Sequence, residues 1–250
     1  MLKNIFDGIK AYAGAFELIS KLKLWRYFVL PIAISVVTAG IIVILAYGLS
    51  DNIGQFISEI WIWEWGKETF AVISEIFGGI LILALGLILY KHIIMALSAP
   101  FMSPVSEKIE AHLFEGNHQH RDTSFHQQLW RGIKINIRNL FMELWLTLVI
   151  LLVSFIPIIG WFTSLLLFVI QAYYAGFGNM DYTLERHFPY KESVSFVRKH
   201  RGIAIGNGIV FILLLLIPVI GVILVLPLSV TAASNKTLEI LNSERKKFEG

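Results

Sequence analysis

The chain has 250 residues, of which 56% are hydrophobic and only 16% charged, with a net charge of +3 and a mean hydropathy of +0.69. A soluble domain of this length does not need so much apolar surface to fill its core, so the composition excludes an ordinary soluble globular protein and indicates a membrane protein. Cysteine is absent, which excludes disulfides, thiolate nucleophiles and cysteine-based metal sites.

Residues 1–22 predict a helix with one apolar face. Apolar side chains recur there at helical spacing, with charged residues between them: Ile5, Ile9, Tyr12, Phe16 and Ile19. The pattern fits an amphipathic helix on the membrane surface, and it equally fits a helix packed on the rest of the protein. No short apolar core with a small-residue cleavage site is present, so we expect the first long apolar run to remain as an anchor.

Two long apolar runs predict transmembrane helices at residues 27–49 and 76–97. The first has 23 residues and no charge, and at about 1.5 Å per residue it can cross a hydrocarbon core of roughly 30 Å. Lys91 and His92 lie near the end of the second. The segment between the runs is rich in tryptophan, which favours either the far headgroup region or packing on protein: Trp61, Trp63 and Trp65.

The polar segments predict the topology. Pro100 and Pro104 follow the second run and predict that its helix breaks or restarts there. If each later apolar run enters the membrane and returns, 20 of the 21 Lys and Arg residues lie on one side. The positive-inside rule makes that side cytoplasmic and places both termini there. We therefore expect cytoplasmic segments at residues 98–139 and 178–202 and a cytoplasmic tail at residues 234–250.

Two later apolar runs, residues 140–177 and 203–233, are each interrupted by a Pro and a Gly three residues apart, in FIPIIG and LIPVIG. Each run starts and ends on the cytoplasmic side, so each must turn, and Pro and Gly suit a turn. The arms of the second run reach only about 22 Å, less than the hydrocarbon core. We expect re-entrant hairpins with tips at Pro157–Gly160 and Pro218–Gly221. Two tight full crossings are the alternative, and turn chemistry alone would explain the Pro-Gly pairs in either case.

Few polar residues interrupt these runs. Glu143 is the one charge in the first of them, and we expect its carboxylate, like that of Glu75, to reach the membrane interface. Asn207 could line a path through the membrane or bond a neighbouring helix. We expect Asp181 and Arg186 in a loop network that could contact a neighbouring subunit.

No catalytic or cofactor motif is visible. The sequence has neither a G-x-x-x-x-G-K-[ST] loop nor an H-E-x-x-H motif. Four histidines of the first polar segment lack the cysteines or carboxylates that would complete a metal site, so we expect a solvated segment: His112, His118, His120 and His126. We expect no enzyme, no metal, no cofactor and no nucleic-acid partner.

An ordered series of motifs extends from about residue 10 to residue 240. Its members are LKLWRYFVLP (22–31), SAPF (98–101), SEKIEAHL (106–113), FIPIIG, and MDYTLERHFPYKESVSFVRKHRGI (180–203) ahead of LIPVIG. The series resembles the family of the sulfate permease CysZ, which includes the eukaryotic etoposide-induced protein. The resemblance implies an all-α bacterial inner-membrane protein with two long transmembrane helices and two partly inserted hairpins, assembled as a homo-oligomer. It also implies sulfate uptake for cysteine synthesis, without ATP hydrolysis by the protein.

The resemblance further implies an anion site at the start of the first long helix. The family's Gly-Leu-Arg-type turn matches Lys23, Leu24 and Arg26, with Lys23 in place of Gly and Trp25 where a first Arg is common. These residues would bind the oxyanion at a helix N-terminus, and the hairpin tips would form the narrow part of its path. Two alternatives stay open. Lys21, Lys23 and Arg26 could anchor the helix to anionic headgroups, and the protein could be a non-transporting scaffold or lipid-handling member of the family.

Overall fold

The computed structural model describes residues 1–59, 67–114, 121, 123–154, 160–217 and 219–249, and all regular structure in these ranges is helical. The prediction of an all-α protein is confirmed for these residues. The predictions for Trp61, Trp63, Trp65, His118, His120, Pro157, Pro218 and the side chain of Glu75 lie outside them. The helices are α1 (Leu2–Lys10), α2 (Ala15–Lys21), α3 (Trp25–Ser58), α4 (Lys67–Leu113), α5 (Phe125–Ser154), α6 (Gly160–His187), α7 (Tyr190–Lys199), α8 (Arg201–Leu215) and α9 (Ile220–Glu249).

The N-terminal segment forms two helices instead of the single predicted one. A turn at residues 11–14 joins α1 to α2, and Gly14 has a φ of +83°, a left-handed conformation that glycine adopts without strain. α1 packs closely on α8, with Gly8 against the backbone around Gly206. Of the two predicted alternatives, this arrangement is the one in which the N-terminal helix packs on the rest of the protein. Leu2 and Phe6 remain largely exposed on α1, and their contact with lipid headgroups stays a prediction.

The long helices α3 and α4 contain the two predicted transmembrane segments and pack along each other. α4 continues through Pro100 and Pro104 to Leu113, so the predicted break at these prolines is wrong. Each proline removes one backbone donor, but the segment is buried among α5, α6 and α9, and Ala99 and Met102 are inaccessible to solvent or nearly so. Tertiary packing therefore holds the helix together where local propensity alone would break it.

The remaining long helices flank the two Pro-Gly sequences. α5 and α6 lie on either side of residues 155–159, and α8 and α9 on either side of residue 218. Three of these arms extend beyond the predicted apolar runs, since α5 begins and α6 ends with polar residues and α9 continues to Glu249. Gly160 begins α6. Gly221 lies in the first turn of α9, and the left-handed residue of this tip is Val219, with a φ of +64°.

The length and composition of the described helices indicate which of them could cross a membrane. α8 has only 15 residues, about 22 Å at 1.5 Å per residue, which is shorter than a hydrocarbon core. How deeply the second hairpin enters the bilayer stays a prediction, while the multi-pass membrane protein is confirmed. Four stretches of the described helices are long and apolar enough to cross a membrane: Trp25–Leu49, Ile82–Leu113, Phe125–Ser154 and Ile220–Lys246.

The polarity of the surface and interior also fits a lipid environment. Large apolar side chains such as Val43 and Ile44 are exposed on α3, at 65% and 72% of their surface. Small polar side chains lie inside instead. Ser106, Thr183 and Ser234 form a buried chain of hydroxyl hydrogen bonds that joins α4, α6 and α9. Hydroxyl bonds between helices are a common way to hold a helical bundle together in a membrane.

Small residues let α6 and α8 approach closely. Ala172 and Gly176 of α6 face Gly208 and Ala204 of α8. A Cβ added at Gly208 would overlap the carbonyl oxygen of Ala172, and one added at Gly176 would overlap that of Ala204. This reciprocal small-x-x-x-small contact is a frequent solution for membrane helices. It fixes the position of α8 against the rest of the protein.

Candidate functional site

The predicted anion site lies at the junction between α2 and α3. The chain forms a Schellman motif there, at the C-terminus of α2. The N–H of Leu24 donates to the carbonyl of Ile19 at 2.8 Å, and the N–H of Lys23 donates to the carbonyl of Ser20 at 3.2 Å. Ile19 and Leu24 are wholly buried, which is the apolar contact typical of this motif. Lys23 occupies its left-handed position, with a φ of +53°. The chain therefore keeps a turn for which glycine is the usual residue, with a lysine in its place.

Unpaired cations lie beside the start of α3. Arg26 donates from Nη2 to the Tyr27 hydroxyl at 2.8 Å, and its guanidinium lies 4.8 Å from the ring centre. Lys108 of α4 lies 5.9 Å from the same ring, and Lys23 is exposed. Among the described residues, these three cations have no carboxylate partner, and the N–H groups of Trp25 and Arg26 have no backbone acceptor. Free N–H groups and positive charge at a helix start suit an oxyanion.

A buried ion pair joins α4 to α5. Lys91 Nζ lies 2.6 Å from Glu143 Oε1, and His92 Nε2 lies 3.1 Å from Glu143 Oε2. His92 Nδ1 is in turn 3.3 Å from the Asn136 side-chain oxygen. All four side chains are buried. The prediction that Glu143 reaches the interface is therefore wrong, because two groups of α4 already satisfy its carboxylate inside the protein.

The sequence contains a signal for this cluster that the prediction of an interfacial Glu143 missed. Lys91 and His92 lie inside one apolar run and Glu143 inside another. Ionisable residues within membrane segments are rare and usually pair with one another, so a partner for Glu143 in the other run is the physical expectation. Which residues face each other depends on the packing of α4 on α5, which a single sequence does not give.

Asn207 joins three elements. Its side-chain nitrogen donates to the Ser229 carbonyl at 3.1 Å, and its side-chain oxygen accepts from Asn179 at 2.8 Å. Tyr12 donates to the Asn207 carbonyl at 2.8 Å and lies 2.7 Å from the Ser229 hydroxyl. The structure thus shows the interhelical bonding that was one of the two predicted alternatives. A role in lining a path stays a prediction.

The predicted site residues lie in separate places. Lys23, Leu24 and Arg26 share one turn, Asn207 belongs to the network between α6, α8 and α9, and Gly160 and Gly221 lie in the first turns of α6 and α9. The part of the chain that the structure describes contains no group of three His, Asp or Glu residues placed to hold a metal ion.

The family is decided by a match over most of the chain. A family model described as sulfate transporter CysZ/etoposide-induced protein 2.4 matches residues 11–226. The chain belongs to this family. No curated protein matches the chain. The matched region includes the junction of α2 with α3, the Lys91–Glu143 pair and Asn207, so all three are features of a member of a transporter-type family of multi-pass membrane proteins.

In this family member, the cytoplasmic ends predicted for α5 and α6 are tied by Arg131. Its guanidinium donates to both oxygens of Asp181, from Nη2 at 2.9 Å and from Nε at 3.2 Å. It also donates to the Phe188 carbonyl at 2.7 Å and to the Ser193 hydroxyl at 2.6 Å. Asp181 and Arg186 were predicted in a loop, and this is wrong, since both lie in the last turns of α6.

Glu185 lies beside this network. It is buried, and it lines a cavity of about 410 Å³ together with Arg121, Arg131 and Lys134. Burial is the main cause that raises its pKa to about 8, and the nearby charge of Asp181 raises it further, while Arg131 opposes both. Its Oε1 atom has no hydrogen-bond partner among the described residues. Glu185 is therefore protonated in the folded protein over a pH range in which an ordinary glutamate is ionised.

Proposed function

We propose that this protein passes a small oxyanion, with sulfate as the leading candidate, across the inner membrane of a bacterium and so supplies sulfur for cysteine synthesis. The observation that supports this most is the start of α3. There, free N–H groups and the unpaired cations Lys23 and Arg26 lie together in a member of a transporter family. An oxyanion would accept hydrogen bonds from the N–H groups and charge-assisted bonds from the side chains.

The Lys91–Glu143 pair would serve as a second station within the membrane. A divalent oxyanion that arrives there could replace the carboxylate of Glu143 beside Lys91 and His92, because both are acceptors of similar size and the same sign. Conduction needs sites that bind an ion well enough for entry and weakly enough for exit. A built-in carboxylate that competes for Lys91 would keep the bound oxyanion from being held too tightly.

The hairpins complete the proposed path. The tips at Pro157–Gly160 and Pro218–Gly221 would form its narrow part, and Asn207 would lie along it. The 15-residue length of α8 supports a re-entrant second hairpin. Irregular backbone at such a tip is tolerated in a membrane only where protein or a water-filled cavity covers it, which is also what an ion path requires. Assembly of several copies as a homo-oligomer would supply that cover, with both termini cytoplasmic.

Labelled sulfate uptake into proteoliposomes tests the proposal. We expect saturable uptake by the native sequence and at least a ten-fold loss in Arg26→Glu. The matched control is Lys10→Glu, which makes the same charge reversal at an exposed residue of α1, away from the start of α3. Uptake by the native protein no faster than by empty vesicles would sink the proposal. Uptake that Arg26→Glu leaves unchanged would move the entrance elsewhere and leave Arg26 as an anchor to headgroups, as in the non-transporting alternative.

A further inference from the structure

An amphipathic cavity of about 450 Å³ lies between α5, α6 and α8, away from the start of α3. Its wall is apolar and includes Leu146, Ile170 and Ile205. The lining also includes Arg198 and Arg201, both exposed, at the end of α7 and the start of α8. The cavity is therefore lined by two arginines of the predicted polar segment 178–202 and by apolar residues of both predicted apolar runs.

The two arginines that line the cavity lack a counter-ion within the described part of the chain. Neighbouring Lys199 and His200 both pair with Glu244, but Arg198 and Arg201 have no carboxylate partner among the described residues. Arg198 and Arg201 therefore bring two guanidinium groups to the cavity lining without an anion from the described part of the chain.

We propose that this cavity binds an anionic phospholipid, with its phosphate on Arg198 and Arg201 and an acyl chain along Leu146, Ile170 and Ile205. Guanidinium groups bind phosphate with strong, charge-assisted hydrogen bonds. Basic pockets at the cytoplasmic ends of membrane helices suit anionic headgroups. A free inorganic oxyanion would use the arginines but would leave the apolar wall in contact with water, whereas a lipid uses both. The site does not depend on passage of sulfate, since lipid binding is read without any flux.

Native mass spectrometry of the purified protein released from micelles measures this binding, with phosphatidylglycerol and phosphatidylcholine as probes. We expect phosphatidylglycerol to bind at least ten-fold more tightly than phosphatidylcholine. The double variant Arg198→Ala/Arg201→Ala should lose that preference. The control is Lys191→Ala/Lys246→Ala, which also removes two positive charges, but at exposed positions outside the cavity. It should keep the preference for phosphatidylglycerol. Ile170→Trp adds bulk at an apolar residue of the lining and should weaken phosphatidylglycerol binding by a similar factor while Arg198 and Arg201 remain.

Two outcomes would overturn the proposal. Equal loss of lipid in the arginine variant and the lysine control would mean that net charge alone attracts the lipid. Competition by millimolar inorganic phosphate, together with unchanged binding in Ile170→Trp, would mean that the arginines form a site for a free oxyanion. Circular dichroism of each variant shows whether it is folded. Because Ile170→Trp changes the apolar lining and the other variant removes the two arginines, the test stands even if one of them fails to fold.

Discussion

Lys91 of α4 and Glu143 of α5 form an ion pair 2.6 Å long, with 2% and 0% of their side chains exposed. Taking both charges out of water costs several kcal/mol each, and their mutual attraction and the hydrogen bond to His92 must offset this cost. Such a pair is weak evidence for stability by itself. It does fix which faces of α4 and α5 meet, because any other register would leave a buried charge alone.

Removal of one member of the Lys91–Glu143 pair should therefore lower the free energy of unfolding much more than removal of both. We expect Glu143→Gln to lower the free energy of unfolding by about 3–5 kcal/mol, and Lys91→Met to have a similar effect. The double variant Lys91→Met/Glu143→Met should recover most of this loss, since it leaves no buried charge unpaired. Denaturant titration in micelles measures all three, with Glu192→Gln at an exposed position of α7 as the control.

The same variants separate a structural role from a role in transport. If the pair only holds α4 to α5, the double variant should recover sulfate uptake along with stability. If Lys91 is a station for the oxyanion, the double variant should be stable but should not take up sulfate. A double variant that loses the sum of the two single effects would contradict the pairing itself.

Two Gly→Ala substitutions should change the free energy of unfolding differently, because Gly208 lies in the close contact between α6 and α8 and Gly40 of α3 does not. At Gly208 the new methyl group would overlap the carbonyl oxygen of Ala172, and backbone cannot give way easily, so we expect a loss of about 1–3 kcal/mol in unfolding free energy. At Gly40 of α3 the new methyl group would meet no atom within 4 Å apart from the neighbouring backbone of its own helix, so we expect alanine to leave the free energy of unfolding unchanged or to raise it by up to about 1 kcal/mol. Thermal unfolding of both variants checks this, and equal midpoints would show that α8 is less tightly held than the structure indicates.

Sequence patterns predicted the parts of this fold that depend on composition along the chain. The apolar runs at residues 27–49 and 76–97 lie within α3 and α4, and the motif series identified the family correctly. Continuity of α4 through Pro100 could not be predicted, because burial outweighs the local effect of proline. For the same reason, the burial of Glu143 was missed, since its partners lie on another helix.

The turn before α3 shows a subtler limit. The family resemblance flagged Lys23 as standing in place of Gly, but only the backbone reveals why Gly suits the position, namely a φ of +53° in a Schellman motif. Leu24 is part of the predicted anion site, and its N–H group bonds the Ile19 carbonyl and closes the turn. Free N–H groups begin one residue later, at Trp25.

Lys23→Gly should stabilise the protein. A lysine in the left-handed region is strained and glycine is not, so we expect the free energy of unfolding to rise by about 0.5–1 kcal/mol. Lys21→Gly is the matched control. It removes the same charge at the end of α2, where the backbone is helical, and should instead cost about 1 kcal/mol. If both substitutions destabilise the protein, then the left-handed turn at residue 23 is not present in solution.

The raised pKa of Glu185 should make the free energy of unfolding depend on pH. Its pKa is raised to about 8 in the folded protein, from an ordinary value of about 4.5. Between roughly pH 5 and pH 8, the folded state keeps a proton that the unfolded state has lost. Unfolding then releases this proton, so the free energy of unfolding should fall as pH rises through this window, by up to about 1.4 kcal/mol per pH unit. Thermal unfolding between pH 5 and pH 9 measures the slope.

Glu185→Gln isolates this contribution, because glutamine resembles the protonated carboxyl and cannot ionise. The variant should match the native protein near pH 5 and exceed it near pH 8, because ionisation of Glu185 in the unfolded native chain favours unfolding over this window and glutamine cannot ionise. Glu192→Gln, an exposed glutamate of α7, should leave the slope unchanged. A variant at residue 185 that keeps the native slope would assign the pH dependence to another group. A variant less stable than the native protein at every pH would mean that the ionised carboxylate is bound by the arginines around it, and that the cavity beside Arg121 and Lys134 admits enough water to keep Glu185 charged.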